Sequence, residues 1–176
     1  MKKIYLALSI VLLSFTFAAE LRAQACQYDY TWLALGKDGV YPDSATNFIS
    51  GNVGTPYVQN ITVKVPYDTT VPVLGTVQFD HIDLQSSASN WGLPPGLTLS
   101  ATPSNFHFPG NDTSCMIIHG TPTTAGTYNL TFVLKTYIVG SSFAVNTQTL
   151  TYYKIVINSP VGLSDNASTK FNVSNP

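Results

Sequence analysis

The chain has 176 residues, 44% of them hydrophobic and only 10% charged, with a formal net charge of −1. From residue 26 onward it holds no Arg and no Glu, and five Lys face eight Asp. That balance argues against nucleic acid, which needs clustered cations to displace counterions, and it leaves no guanidinium to grip a phosphate in a bidentate fork. Ten Tyr and nine Phe are enough for a folded core.

The first predicted element is a leader. Lys2 and Lys3 precede an apolar run from Ile4 to Ala19, and Ala23 and Ala25 stand at −3 and −1 of a secretory cleavage site. The run is short of the ~20 residues a membrane span needs, so residues 1–25 read as a signal peptide and no transmembrane anchor is expected. The remainder has two cysteines, Cys26 and Cys115. In an exported protein an even pair suggests a disulfide. The rival reading, a lipid on Cys26, wants a large aliphatic residue where the chain has Ala23.

Residues 26–49 are turn-rich, with Gly36, Asp38-Gly39 and Pro42-Asp43 as breakers, and read as an extension packed on a domain spanning 50–158. Ile61, Val63 and Val65 alternate with polar residues, as in a half-buried strand that Pro66 ends. A strand over Val73 to Leu84 is expected to put Val77, Phe79 and His81 on one side, with Gln78, Asp80 and Ile82 on the other. A tight turn at "WGLPPGLTLS" leads into a short strand, and 100–114 reads as a polar loop. Strands follow over Cys115–Ile118, 127–138 and 143–158, while 159–176 reads as a linker. No segment sustains a helical period. Six or seven short strands between Gly/Pro turns predict an all-β sandwich with Greek-key connections.

Three stretches, "GNVGTPYVQNITV", "GLPPGLTLS" and "IIHGTPTTAGTYNLTF", together resemble the immunoglobulin-like, cadherin-like domains of bacterial secreted and surface proteins. Their pattern is G-x-x-Y, then G-L-P-x-G-L, then I-x-G-T-P-x-x-A-G-T-Y, and it covers Ser50 to Asn158. His119 stands where those domains usually have a small residue. The resemblance implies an immunoglobulin/cadherin-like sandwich of about seven strands. It makes Gly120, Thr121, Pro122, Gly126 and Tyr128 a fold-signature turn, with the Tyr128 hydroxyl bonded to backbone at a corner. The stretch "CQYDYTWLALGKDGVYPDS" resembles a subgroup that ends in a type IX secretion sorting domain. A second bridge common there is missing, because Ala101 and Phe106 occupy its positions; Cys26–Cys115 is compatible with what remains. The final "VGLSDNASTKFNVSNP" resembles the start of that sorting region, cut short.

Chemistry-bearing residues are sparse. His81, His107 and His119 meet no motif that would assemble a triad, and they lack zinc-ligand spacing. Cadherin-like sandwiches can hold Ca²⁺ through Asp, and Asp80, Asp83 and Asp112 are the candidates, although solvated Asp is the preferred reading. Asp80 and Asp83, three apart, are expected on opposite strand faces. No other cofactor is expected. Flat aromatics for glycan binding would come from Trp91, Phe106 and Tyr152. The function expected is a non-catalytic module at the cell surface or outside the cell. Its role would be structural, adhesive or protein-binding, its partner an unknown protein or glycan at the cell surface, with carbohydrate binding as the alternative and a secreted hydrolase a more distant one.

Overall fold

In the computed structural model of the protein, residues 25–71 and 75–160 are described. The expected leader, residue Val73 and the tail from residue 161 fall outside the described residues, apart from Ala25. The described chain is all-β except for one four-residue helix, α1 (Tyr30–Leu33), and a single 3-10 turn at Asn90–Gly92. Its strands are β1 (Gly39–Tyr41), β2 (Gly51–Asn52), β3 (Tyr57–Lys64), β4 (Asp68–Val71), β5 (Gly75–Leu84) and β6 (Leu97–Thr102). They continue as β7 (His107–Pro109), β8 (Thr113–Gly120), β9 (Gly126–Asn129), β10 (Phe132–Ile138), β11 (Asn146–Leu150) and β12 (Lys154–Asn158).

One sheet has the order β1-β3-β8-β6 and a second the order β11-β10-β5-β4, with β7 also paired to β5; a smaller third runs β2-β12-β9. Every pairing is antiparallel except β2 with β12. Alternation on β3 sends Tyr57, Ile61 and Val63 inward, where they meet Met116 and Ile118 of β8. Leu84, Phe108, Phe132 and Leu150 approach from the second sheet and Ile155 and Ile157 from the third, so one core lies between the layers in a sandwich-like arrangement.

Strand β8 does not alternate: Ser114 to Ile118 are all buried. Its inner face packs on the core, and its outer face is covered by the N-terminal segment. There Asp29 N–H donates to Thr62 Oγ1 at 2.8 Å, and Cys26 is bonded to Cys115 with Cα atoms 5.9 Å apart. A strand buried on both faces reads as a continuous apolar run, which is what "CMII" is.

The count of twelve strands exceeds the six or seven expected, for three reasons, the first being that β1, β2 and β4 form in stretches read as extension or turn. The predicted strands 127–138 and 143–158 each break in two as the chain passes between sheets. Their first and last parts, β9 and β12, pair in the small sheet, while β10 and β11 pair in the second. The expected loop 100–114 also contributes a longer β6, the short β7 and the start of β8.

Strand β5 departs from simple alternation. Tyr137 of β10 pairs with His81 and Ile138 with Phe79, so Asp80 is an extra residue in the ladder, a β-bulge. The expectation that Phe79 and Ile82 lie on opposite sides is therefore corrected. Both pack toward the core, together with Leu84.

Two tyrosines clamp residues 42–49 onto this core. The buried Tyr153 stacks on Phe48 with centroids 4.5 Å apart and donates to the Pro42 carbonyl at 2.7 Å. Tyr57 donates to the Ile49 carbonyl at 3.0 Å. Burial pushes both phenol pKa values up, for Tyr153 with help from the neighbouring Tyr152. Folded and unfolded chains both keep these protons below pH ~10. Above it the unfolded chain ionises first and holds fewer protons, so stability falls as pH rises. The urea midpoint is therefore expected to drop between about pH 9 and about pH 11. Tyr153→Phe should flatten that slope and remove about 1–2 kcal/mol at neutral pH through the lost hydrogen bond. An identical slope in the variant would count against the assignment.

Candidate functional site

The bulge at Asp80 sets up the densest polar cluster. On either side of it the apolar parity inverts, odd at Val77 and Phe79, even at Ile82 and Leu84. With the even positions turned inward, His81 and Asp83 share the outer face of the second sheet. Strand β7 pairs antiparallel to β5 with His107 directly opposite Asp83, and directly opposed residues share a face. His107 Nδ1 lies 2.9 Å from Asp83 Oδ1, and His81 Nε2 lies 3.6 Å from Asp83 Oδ2. The bulge also folds Asp80 back, so that its carboxylate sits 2.5 Å from His81 Nδ1.

The sequence expectation that Asp80 and Asp83 are held apart by strand parity thus fails in its consequence, since the His81 ring connects them. The His81 ring is sandwiched, with centroids 4.0 Å from His107 and 4.2 Å from Tyr137. Its side chain is 16% exposed, against 29% for Asp83 and 41% for His107. The ligand-type atoms of His81, Asp83 and His107 all lie within 4.8 Å of one another. Every ion pair among the described residues belongs to this cluster. The parity inversion from Phe79 to Ile82 was the sequence signal for it. Nothing local in "NFHF" announces that His107 would arrive opposite Asp83.

The other candidates lie elsewhere. Asp112 is exposed and accepts the Thr113 N–H at 2.7 Å in its own turn. His119, on β8, has Nε2 3.2 Å from Ser100 Oγ and 3.5 Å from Thr98 Oγ1. Among the described residues no carboxylate lies within ion-pair distance of His119.

Trp91 and Phe106 are brought together, with ring centroids 5.4 Å apart, but as partly buried rings packed on the core. Trp91 Nε1 donates to the Gln85 carbonyl at 2.9 Å, and Trp91 and Phe106 have left-handed backbone, φ 53° and 58°. Tyr152, 46% exposed, packs on Tyr153 and makes no ring contact with that pair. Tyr152 is exposed and Tyr153 buried, and with residues 151–153 outside any strand their ring centroids lie 4.5 Å apart.

The turn from Gly120 to Tyr128 locks onto the "GLPPGL" turn. Thr121 N–H donates to Gly96 O at 3.1 Å and Thr123 N–H to Pro95 O at 3.0 Å. Pro122 is buried, and its carbonyl accepts the Gly54 N–H at 2.9 Å. The Tyr128 hydroxyl donates to the Thr124 carbonyl at 3.1 Å, across the Gly126 corner. The three stretches singled out in the sequence therefore meet at one end of the sandwich. In the extension, Asp43 caps the turn that follows it, and the Thr46 backbone N–H holds its carboxyl below the ordinary value.

A third feature is a sheet edge. Strand β11 borders the second sheet, and among the described residues no strand pairs with its outer side. Asn146 to Thr149 are all exposed. The hairpin tip leading into it carries Val139 and Phe143, exposed at 59% and 70%. Phe79, Ile82, Ile138 and Val145 line a cleft of about 480 Å³ beside this edge.

No family model matches the chain, and no curated protein matches it. No helix among the described residues is long and apolar enough to cross a membrane.

Proposed function

We propose that this chain is an exported, non-catalytic module of the immunoglobulin-like, cadherin-like class, delivered by type IX secretion to the cell surface or beyond. Its role is structural or adhesive, through protein binding at a sheet edge. The observation that carries this reading is the state of β11. Soluble sheets ordinarily guard their edges with Lys, Pro, bulges or a covering loop. β11, "NTQTL", has no Lys and no Pro, is bordered by an apolar cleft, and follows a hairpin tip with exposed Val and Phe. Such an edge accepts an extended strand, with backbone hydrogen bonds supplying affinity and the cleft supplying side-chain selectivity. The Cys26–Cys115 staple supports export, because disulfides persist in oxidising compartments.

The test is binding of the purified, labelled protein to washed envelopes of the producing cells, in parallel with a glycan array. Thr147→Lys, a guard charge on an exposed edge position, is expected to lower envelope binding at least tenfold with an unchanged unfolding curve. Unchanged binding removes the edge from the reading. Binding to glycans that is lost on Tyr152→Ala or Trp91→Ala, with the edge variant neutral, replaces it with carbohydrate recognition.

A further inference from the structure

We propose that His81, Asp83 and His107 form a binding site for a divalent d-block cation, Zn²⁺ first among them, with a coordination position left open to water. The inference is independent of the edge-binding role.

The donor set selects the ion class. Two imidazoles and one carboxylate suit Zn²⁺, Cu²⁺ or Ni²⁺, whereas Ca²⁺ takes six to eight oxygens. The spacing selects the same class. Ligand atoms about 2.1 Å from a tetrahedral centre lie roughly 3.4 Å from one another. Here the carboxylate oxygens stand 2.9 Å from His107 Nδ1 and 3.6 Å from His81 Nε2. The three ligand atoms all lie within 4.8 Å of one another, so side-chain adjustments of up to about 1.4 Å bring them to the spacing of a coordination shell.

The hydrogen bonds point the same way. With His81 Nδ1 bonded to the Asp80 carboxylate, Nδ1 is the donor, and Nε2 carries the lone pair of the neutral ring. That lone pair faces Asp83 Oδ2 with no hydrogen bond between them. In that tautomer two acceptors face each other in a partly buried spot, an arrangement relieved by a cation between them, whether a proton on Nε2 or a metal ion. A carboxylate holding the far nitrogen is also how metal-ligating histidines are usually oriented. The Asp80 bulge supplies it, and Tyr137 fixes the ring plane by stacking. Ligation by His107 Nδ1 takes the neutral tautomer whose proton sits on Nε2. Lys135, opposite Asp83 on β10, is the cation nearest in register, and it makes no ion pair there.

Bound metal would tie the three-residue β7 to β5, which otherwise holds it by a short ladder. Ligand binding to the folded state alone raises the melting temperature with ligand concentration. The experiment is calorimetric titration of ZnCl₂ into the untagged, chelator-stripped protein, with CaCl₂ in parallel, and thermal melts with and without EDTA. One Zn²⁺ per chain is expected, with a rise in Tm of several degrees that EDTA reverses. His81→Ala and His107→Ala should each weaken binding at least 100-fold, and Asp80→Asn about 10–100-fold. Should a variant fail to fold, imidazole NMR of the unaltered protein decides the matter: Zn²⁺ should shift His81 and His107 and leave His119 in place. The proposal is overturned by absence of Zn²⁺ binding, by equal affinity for Ca²⁺, by binding that survives both His variants, or by shifts confined to His119.

Discussion

Serine at Cys26 or Cys115 is expected to lower the unfolding free energy by about 4–5 kcal/mol, with a drop in Tm of roughly 10–18 °C. The bond spans 89 residues, and closing so long a loop in the unfolded chain removes entropy that the reduced chain regains. Total stability of a domain is ordinarily only about 5–15 kcal/mol, so the reduced form is left marginal. The loss has a local face as well. Cys115 lies on the outer side of β8, and the segment it anchors covers Thr62 and the doubly buried strand. Freed from the bond, residues 26–33 keep only their hydrogen bonds at Thr62 and Asn60 and the packing of Trp32. The measurement is a pair of melts, unaltered protein with and without reductant and Cys115→Ser. Agreement between the reduced protein and the variant, both well below the oxidised form, is the expected pattern. Three curves within a degree of one another would remove the staple from the account of stability.

Alanine at Gly96 or Gly120 should cost about 3–5 kcal/mol each, although neither substitution adds more than one methyl group. The two glycines cross where the "GLPPGL" and "GTP" turns interlock. A Cβ on Gly96 would stand 2.1 Å from the Thr121 carbonyl oxygen, and one on Gly120 would stand 2.2 Å from the Gly96 oxygen. Both obstacles are backbone and cannot rotate away. Each glycine also has positive φ, +90° and +133°, a further cost for any L side chain. Separating the turns also breaks the Thr121–Gly96 hydrogen bond, worth about 1 kcal/mol. Gly140→Ala supplies the comparison, since its φ is +85° but nothing lies near the added methyl. It should lose only the conformational part, about 1–2 kcal/mol. Urea unfolding of the three variants separates the two contributions. If Gly96→Ala loses no more than Gly140→Ala, the turns are not locked as described.

Much of the architecture could be read from residue order because the signals are local. Ile61, Val63 and Val65 alternate, and Gly and Pro punctuate the turns. What escaped depends on partners. The bulge at Asp80 is a mismatch of one residue between β5 and β10, visible in the sequence only as an apolar parity that inverts between Phe79 and Ile82. The same inversion, from Leu150 to Tyr153, marks the passage from β11 to β12. The break between β9 and β10 leaves no such trace, because Tyr128, Leu130, Phe132 and Leu134 keep one parity through it. The His81–Asp83–His107 cluster was hidden for a related reason. His107 lies in a stretch of turn residues, and its position opposite Asp83 follows from the register of β7, which no local pattern encodes. Trp91 and Phe106 read as candidate glycan platforms, but whether they face solvent or each other is a property of how two loops close on the core.

The staple also determines how tension would travel through the domain. A pull applied at Cys26 passes through the covalent bond into β8, which is flanked by β3 and β6 along its length. A pull at Asn158 enters β12, flanked by β2 and β9. The oxidised N-terminal handle thus grips an interior strand, where a ladder on each side shares the load and neighbouring hydrogen bonds must yield together. Strand β12, by contrast, is held mainly by β9, since β2 meets it only at Ile157 and Asn158. Reduction moves the N-terminal handle to β1, a three-residue edge strand held on one side by β3, whose bonds can open one after another. The same polypeptide would then be a stiff spacer when oxidised and an extensible one when reduced.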